Sequence, residues 1–275
     1  MKQLWQKIGF NALVVVILIY SLLPFLWILR SSLESNQGLS QATTSFLPKA
    51  VTMVQYKGLF ANQDFLRPLL NSLFIAGVAT LIAVILGALA AYALARLPVK
   101  GRIIVLGSVL LISFFPKVGM IGPLFLLFKQ IQWINTYQSL IFPYLILCLP
   151  IITWILTAFF AQIPVEIEEA SMVDGASTWQ TIWSCFVPLA MPGIFTAAIL
   201  GFLLSWNDLL FALSFIQTPS MYTVPLALVS FRNAYYVQYG QIDAGVVVAS
   251  VPIALIVVFL QRRIEFGLTM GAVKG

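Results

Sequence analysis

The sequence predicts an all-α integral membrane protein with six transmembrane helices, and three observations predict it. Hydrophobic residues make up 61% of the 275 and charged residues 9%, against about 25% charged in an ordinary soluble domain. Six apolar runs approach or exceed the ~20 residues that a helix needs to cross a bilayer. Between the fourth and fifth runs lies a polar hairpin that holds Glu166, Glu168, Glu169 and Asp174, four of the nine carboxylates in the chain.

Uncharged runs at Ile8 to Leu29, Leu69 to Ala95, Leu140 to Ile163 and Val246 to Leu260 give four spans, the last short enough to recruit Ile242 to Gly245. Ile103 to Phe128 and Met191 to Ile216 give two more, interrupted by Lys117 and by Asp208. The expected organisation is one transmembrane domain over 1–275. Its spans fall at about 8–29, 69–95, 103–128, 140–163, 191–216 and 242–262, with a loop at 164–188 and a tail at 263–275. The first run follows Lys2 and Lys7 as a secretory signal would. It is too long for a signal core and ends in Trp27-Ile28-Leu29-Arg30 without a small-residue cleavage pattern, so it reads as an uncleaved span.

An even number of spans puts both termini on one side. The cations of that side, Lys2, Lys7, Arg96, Lys100, Arg102, Arg262, Arg263 and Lys274, outnumber those of the other, Arg30, Lys49, Lys57, Arg67, Lys129 and Arg232. The positive-inside rule therefore places both termini and the acidic hairpin in the cytoplasm. The net charge of +6 suits loops that face anionic lipid heads, and nothing points to nucleic acid.

The segment Ser31 to Leu66 reads as a connector with one short helix. Span two carries Gly77, Gly87 and alanines at 88, 90, 91, 93 and 95, small residues that let membrane helices approach closely. Span three should break at Pro116, Gly119, Gly122 and Pro123 around Lys117, which would line a cavity, pair, or reach to the interface. Span five contains Trp206-Asn207-Asp208, with Asp208 the one carboxylate read as deep in a span. Lys117, Trp206, Asn207 and Asp208 are candidates for a translocation path; the alternative for Asp208 is a structural partner for backbone amides or a neighbouring subunit. Cys148 within a span and Cys185 in the hairpin argue against a disulfide.

The hairpin has the local grammar of two short helices around a glycine. Pro164 suits a first helical position, and Glu166, Glu168 and Glu169 follow where the helix dipole favours negative charge. Gly175 sits where a helix would end in a left-handed residue. Ser177 and Gln180 have capping-box spacing. Trp179, Ile182, Trp183 and Phe186 recur as one apolar stripe, and Pro188 closes the unit.

Glu169-Ala170-Ser171, Gly175, Cys185 and Val187-Pro188 resemble the EAA loop of the membrane subunits of bacterial ATP-binding-cassette importers. Ser171, Cys185 and Val187 depart from that pattern but keep small or apolar character. Trp206-Asn207-Asp208 and the closing Gly271-Ala272-Val273-Lys274-Gly275 are similar to the carbohydrate-uptake branch, in particular to the smaller permease of maltose- and trehalose-type systems. The resemblance implies a MetI-like fold in the bacterial cytoplasmic (inner) membrane, with a cytoplasmic coupling helix between spans four and five. It implies ATPase coupling through Glu168, Glu169, Ala170, Asp174, Gly175 and Pro188, and tail contact with the ATPase through Lys274 and Gly275. The implied partners are a second homologous permease, two cytoplasmic ATPase subunits, an extracytoplasmic solute-binding protein and membrane lipid.

The residues also exclude chemistry. With no histidine in the chain, histidine-based acid–base or metal chemistry is absent. There is no phosphate loop of the Gly-x-x-x-x-Gly-Lys-Ser/Thr type, so ATP and Mg belong to another chain, and no cofactor, metal or catalytic residue is expected on this one. The fourth span carries no arginine ladder for voltage gating and the hairpin has no second copy. The expected cargo is a disaccharide or glucoside such as trehalose, maltose or glucosylglycerol. The alternatives are a polyol or polyamine in the same importer class, and, with far less support, an ATP-independent channel or secondary transporter.

Overall fold

A computed structural model describes residues 2–40, 50–62, 64–231 and 237–272, with side chains over 6–39, 50–61, 64–231 and 237–259. The described residues form helices α1 (Lys2–Ser32), α2 (Asn36–Ser40), α3 (Val54–Asn62), α4 (Leu66–Arg96), α5 (Arg102–Ser113), α6 (Lys117–Gln130) and α7 (Gln138–Ala161). There follow α8 (Val165–Val173), α9 (Thr178–Thr181), a π-helical turn at Ile182–Phe186, α10 (Val187–Leu189), α11 (Met191–Trp206), α12 (Leu210–Phe215), α13 (Val224–Ser230) and α14 (Tyr239–Ala272). The chain divides into two compact units, 1–66 with 227–252 and 67–226 with 253–275.

In the first unit, α1 exposes apolar side chains on all sides, from Phe10 through Val16 and Leu22 to Phe25. A helix that is apolar all round needs lipid or another chain around it. Its end is fixed by polar contacts. Arg30 pairs with Glu34 at 2.9 Å, Ser32 shares a hydrogen bond with Tyr56 at 2.9 Å, and Gln55 donates to the Glu34 carbonyl at 3.0 Å. The described residues of the segment read as a connector with one short helix hold two, α2 and α3, with Leu59 fully buried.

The second unit is built on α4, α7 and α11. Ala79, Ala83 and Gly87 give α4 a flat buried face, and α11 packs along α7. Ile152 of α7 sits between two glycines: a Cβ on Gly87 would stand 2.7 Å from Ile152 Cγ2, and one on Gly201 of α11 would stand 2.9 Å from Cδ1. Gly87, Ala88 and Ala91 of span two are therefore packing residues, as expected, whereas Ala90 is exposed and a Cβ on Gly77 would meet nothing within 4 Å. One apolar cluster gathers Ala88, Tyr92, Ile152, Phe160, Ile182 and Phe186. A second gathers Ile75, Phe128, Tyr144, Phe211 and Phe215.

Gln6–Ser32, Leu66–Arg96, Gln138–Ala161 and Tyr239–Phe259 are long and apolar enough to cross a bilayer singly. Two further segments are bent pairs: α5 with α6 at 85°, and Thr178–Leu189 with α11 at 81°. The described residues thus hold four such helices, or up to six when each bent pair is one span. The first bend falls at Phe114 to Pro116, because Pro116 is extended (ψ 121°) and cannot continue α5. The sequence reading ran span five to Ile216, whereas α11 ends at Trp206 and a short α12 restarts at Leu210. Asp208 causes the break, its Oδ2 accepting the Phe211 N–H at 3.0 Å. A side chain that caps a new helix competes with continuation of the old one.

Two further differences concern the last helix. It begins at Tyr239 and so includes Asp243, a half-buried carboxylate in contact with Ser31. The helix also runs on through Ala272, into residues expected as a flexible tail. Single glycines such as Gly267 cost about 1 kcal/mol each without ending a helix. Lys274 and Gly275 lie outside the described residues.

Candidate functional site: the acidic hairpin and a part-buried ion pair

The hairpin is folded by local signals. Pro164, with ψ 140°, is the N-cap of α8, one residue earlier than the first helical position expected of it. Helix α8 ends in a Schellman motif: Ala176 N–H donates to the Ser171 carbonyl and Gly175 N–H to Met172, both at 3.0 Å. Gly175 has φ +81°. Ser177 and Gln180 form the expected capping box at the start of α9. Ser171 and Thr181 then join the two arms through a hydroxyl–hydroxyl bond of 2.8 Å.

The expected apolar stripe does not stay on one face. Ile182 and Phe186 are buried, while Trp179 and Trp183 are exposed and pack edge to face at 5.6 Å. The π-helical turn at Ile182–Phe186 widens the helix and shifts the register between these pairs. Pro188 lies within α10, and the chain turns two residues later at Ala190.

The hairpin consequently has two chemically distinct faces. Glu166, Glu169, Ala170, Asp174 and Gly175 are exposed beside Met172, Trp179 and Val173, the last 87% exposed. Among the described residues no cation pairs with Glu166, Glu169 or Asp174. Glu168 points the other way and is 9% exposed. Its Oε1 accepts the Tyr92 hydroxyl at 2.6 Å, and its Oε2 lies 3.6 Å from Arg96 Nε.

Lys117 and Asp208, singled out separately in the sequence, come together with Nζ 3.2 Å from Oδ1. The Asp208 side chain is 1% exposed and that of Lys117 36%. Of their sequence neighbours, Asn207 is exposed and donates to the Leu203 carbonyl, whereas Trp206 is buried against Phe202 at 5.4 Å. Tyr92, Tyr144 and Phe211 are buried as well.

Sequence reasoning missed the pairing of Lys117 with Asp208 and that of Glu168 with Tyr92 and Arg96. The second left a signal: Tyr92 and Arg96 are four residues apart on one helix face, and Glu168 shares the spacing of the inward-facing Ile167 and Ser171.

Residues 83–269 match the family described as the binding-protein-dependent transport system inner membrane component. The chain is 42% identical over 258 residues to the trehalose transport system permease protein SugB of Mycobacterium tuberculosis, covering 93% of each chain. It is 36% identical to the sulfoquinovosyl glycerol transport system permease protein SmoH of Agrobacterium fabrum, covering 94% of this chain and 91% of that one. It is 34% identical to the trehalose/maltose transport system permease protein MalG of Thermococcus litoralis, covering 95% and 94%. In fold it matches a chain of a bacterial ABC transporter involved in alginate import, with a TM-score of 0.76 and 20% identity over 95% of this chain and 97% of that one. The chain belongs to the family of inner-membrane components of binding-protein-dependent transport systems. It is a transport subunit and not itself an enzyme.

Proposed function

We propose that this chain forms part of the translocation path of an ATP-driven, binding-protein-dependent importer for a disaccharide or glucoside, such as trehalose, maltose or glucosylglycerol. In this reading the chain crosses the inner membrane six times with both termini and the hairpin in the cytoplasm, and pairs with a second permease. The observation that carries it is the exposed hairpin face, where Met172, Val173 and Trp179 stand beside three carboxylates that have no cation partner among the described residues. Apolar knobs with unpaired acids fit a partner cleft with an apolar floor and a basic rim. A cytoplasmic ATPase dimer is that partner: ATP binding closes it, the docked hairpin follows, and hydrolysis resets the inward-facing state.

Lys117 and Asp208 lie beside the path as a neutralised pair. Because Asp208 is already bound by Lys117, it offers no free carboxylate to a cationic polyamine, which favours a neutral sugar. The relatives named for trehalose, maltose and sulfoquinovosyl glycerol support the same class. The test is uptake into proteoliposomes holding this chain with its co-encoded permease, ATPase and binding protein, across labelled disaccharides, polyols and polyamines. ATP-dependent uptake of a glucoside is the expected result, and uptake confined to polyamines would remove the sugar assignment.

A further inference from the structure

We infer that Tyr92, Arg96 and Glu168 form a latch through which the hairpin moves α4, so that Glu168 is a positioning residue inside this chain and not a contact for the ATPase. The inference rests on the coupling role proposed for the hairpin and gives it an internal route.

Two side chains of α4, one helical turn apart, hold three separate pieces of the chain. Tyr92 donates to Glu168 of α8 at 2.6 Å and meets Phe186 of the π turn edge to face at 5.2 Å. Arg96 lies over the same Phe186 ring at 4.9 Å, approaches Glu168 at 3.6 Å, and donates to the Ile163 carbonyl in the link between α7 and α8. A carboxylate as buried as Glu168 is tolerated only with such partners. The hairpin moves as one body around it, since Ser171 bonds both the Glu168 carbonyl and Thr181, each at 2.8 Å.

Successive residues of α8 divide the work. Glu169 is exposed on the docking face, while Glu168 is turned about 100° away into the protein. Force applied at Glu169 or Val173 therefore reaches α4 through the Tyr92 hydroxyl and the Arg96 guanidinium. From there α4 is a continuous 31-residue helix whose middle is clamped by Ile152, and close-packed interiors pass displacement on without absorbing it.

The test uses the complete importer, measuring sugar imported and ATP hydrolysed in the same vesicles for Tyr92→Phe, Glu168→Gln, Glu168→Leu and Tyr92→Phe with Glu168→Leu. Sugar imported per ATP should fall about tenfold in Glu168→Leu, within the usual range of coupling between sites, while the ATPase subunits still copurify and still hydrolyse ATP. Glu168→Gln, which keeps an acceptor for Tyr92, should recover most of the loss. The double variant should be no worse than Glu168→Leu alone, because both changes cut one connection. If Glu168→Leu fails to assemble, Tyr92→Phe deletes one oxygen from an intact ring and must still lower the ratio several-fold.

An unchanged ratio in both variants overturns the latch. So does a proportional fall in uptake and hydrolysis, which marks a purely structural role, or loss of ATPase copurification, which marks direct contact. Absence of ATP-driven uptake in the unaltered importer would instead count against the function proposed above.

Discussion

The Lys117–Asp208 pair predicts an asymmetry between its two halves. In Lys117→Met, Asp208 keeps its bond from the Phe211 N–H but loses its counter-charge while its side chain is 1% exposed. Breaking a fully buried pair costs about 3–5 kcal/mol, because the remaining charge is stranded. Surface pairs are worth about 0–1 kcal/mol. With Lys117 36% exposed, an intermediate cost of about 2 kcal/mol follows from those two limits. In Asp208→Asn the stranded group is the lysine, which is 36% exposed and long enough to extend away from the pair, so the loss should stay below about 1 kcal/mol. Thermal inactivation of the detergent-purified complex reads both. Lys117→Met should have a clearly lower midpoint than Asp208→Asn, and the double variant should regain most of the difference. Equal midpoints for the two single variants, or a double variant that is the sum of both, would refute the electrostatic reasoning.

Gly175→Val should abolish coupling while leaving membrane insertion intact, because a β-branched residue resists φ +81°. Gly175→Asn should be far milder, since no atom stands within 4 Å of the added Cβ and asparagine tolerates left-handed backbone; uptake by the two variants compares them directly. Val173→Asp and Glu169→Lys should each reduce ATPase copurification without affecting insertion, and unchanged copurification of both would remove the docking face. Gly87→Leu should lower the yield of folded protein, because its side chain would enter the space of Ile152; overpacking of this kind costs about 1–3 kcal/mol, and wild-type yield would contradict the packing role.

The hairpin was legible in the sequence because its geometry is decided within a few residues. Gly175 supplies the left-handed turn, Ser177 and Gln180 cap each other, and Pro164 stops one helix and starts the next. The break near Lys117 was legible for the same reason, Pro116 being unable to continue α5. The Trp179 to Phe186 stripe misled because periodicity assumes a uniform helix, and the π turn changes the count midway. The end of span five at Trp206 was hidden because hydropathy reads Asp208 as one charge in an apolar run and not as a helix cap. The two pairings were hidden by distance along the chain: 91 residues separate Lys117 from Asp208 and 76 separate Tyr92 from Glu168. Local pattern can mark the face a side chain takes, as at Tyr92 and Arg96, but not its partner at that range.

The central claim is that ATP hydrolysis on another chain drives transport through this one by way of the hairpin. Its most direct measurement is accumulation of labelled trehalose in vesicles holding the full importer, with ATP, without ATP, and with Gly175→Val in place of the unaltered chain. Accumulation above the external concentration only with ATP and only with Gly175 intact is the predicted result. Accumulation that proceeds without ATP, or that is unchanged by Gly175→Val in a correctly assembled complex, would contradict it.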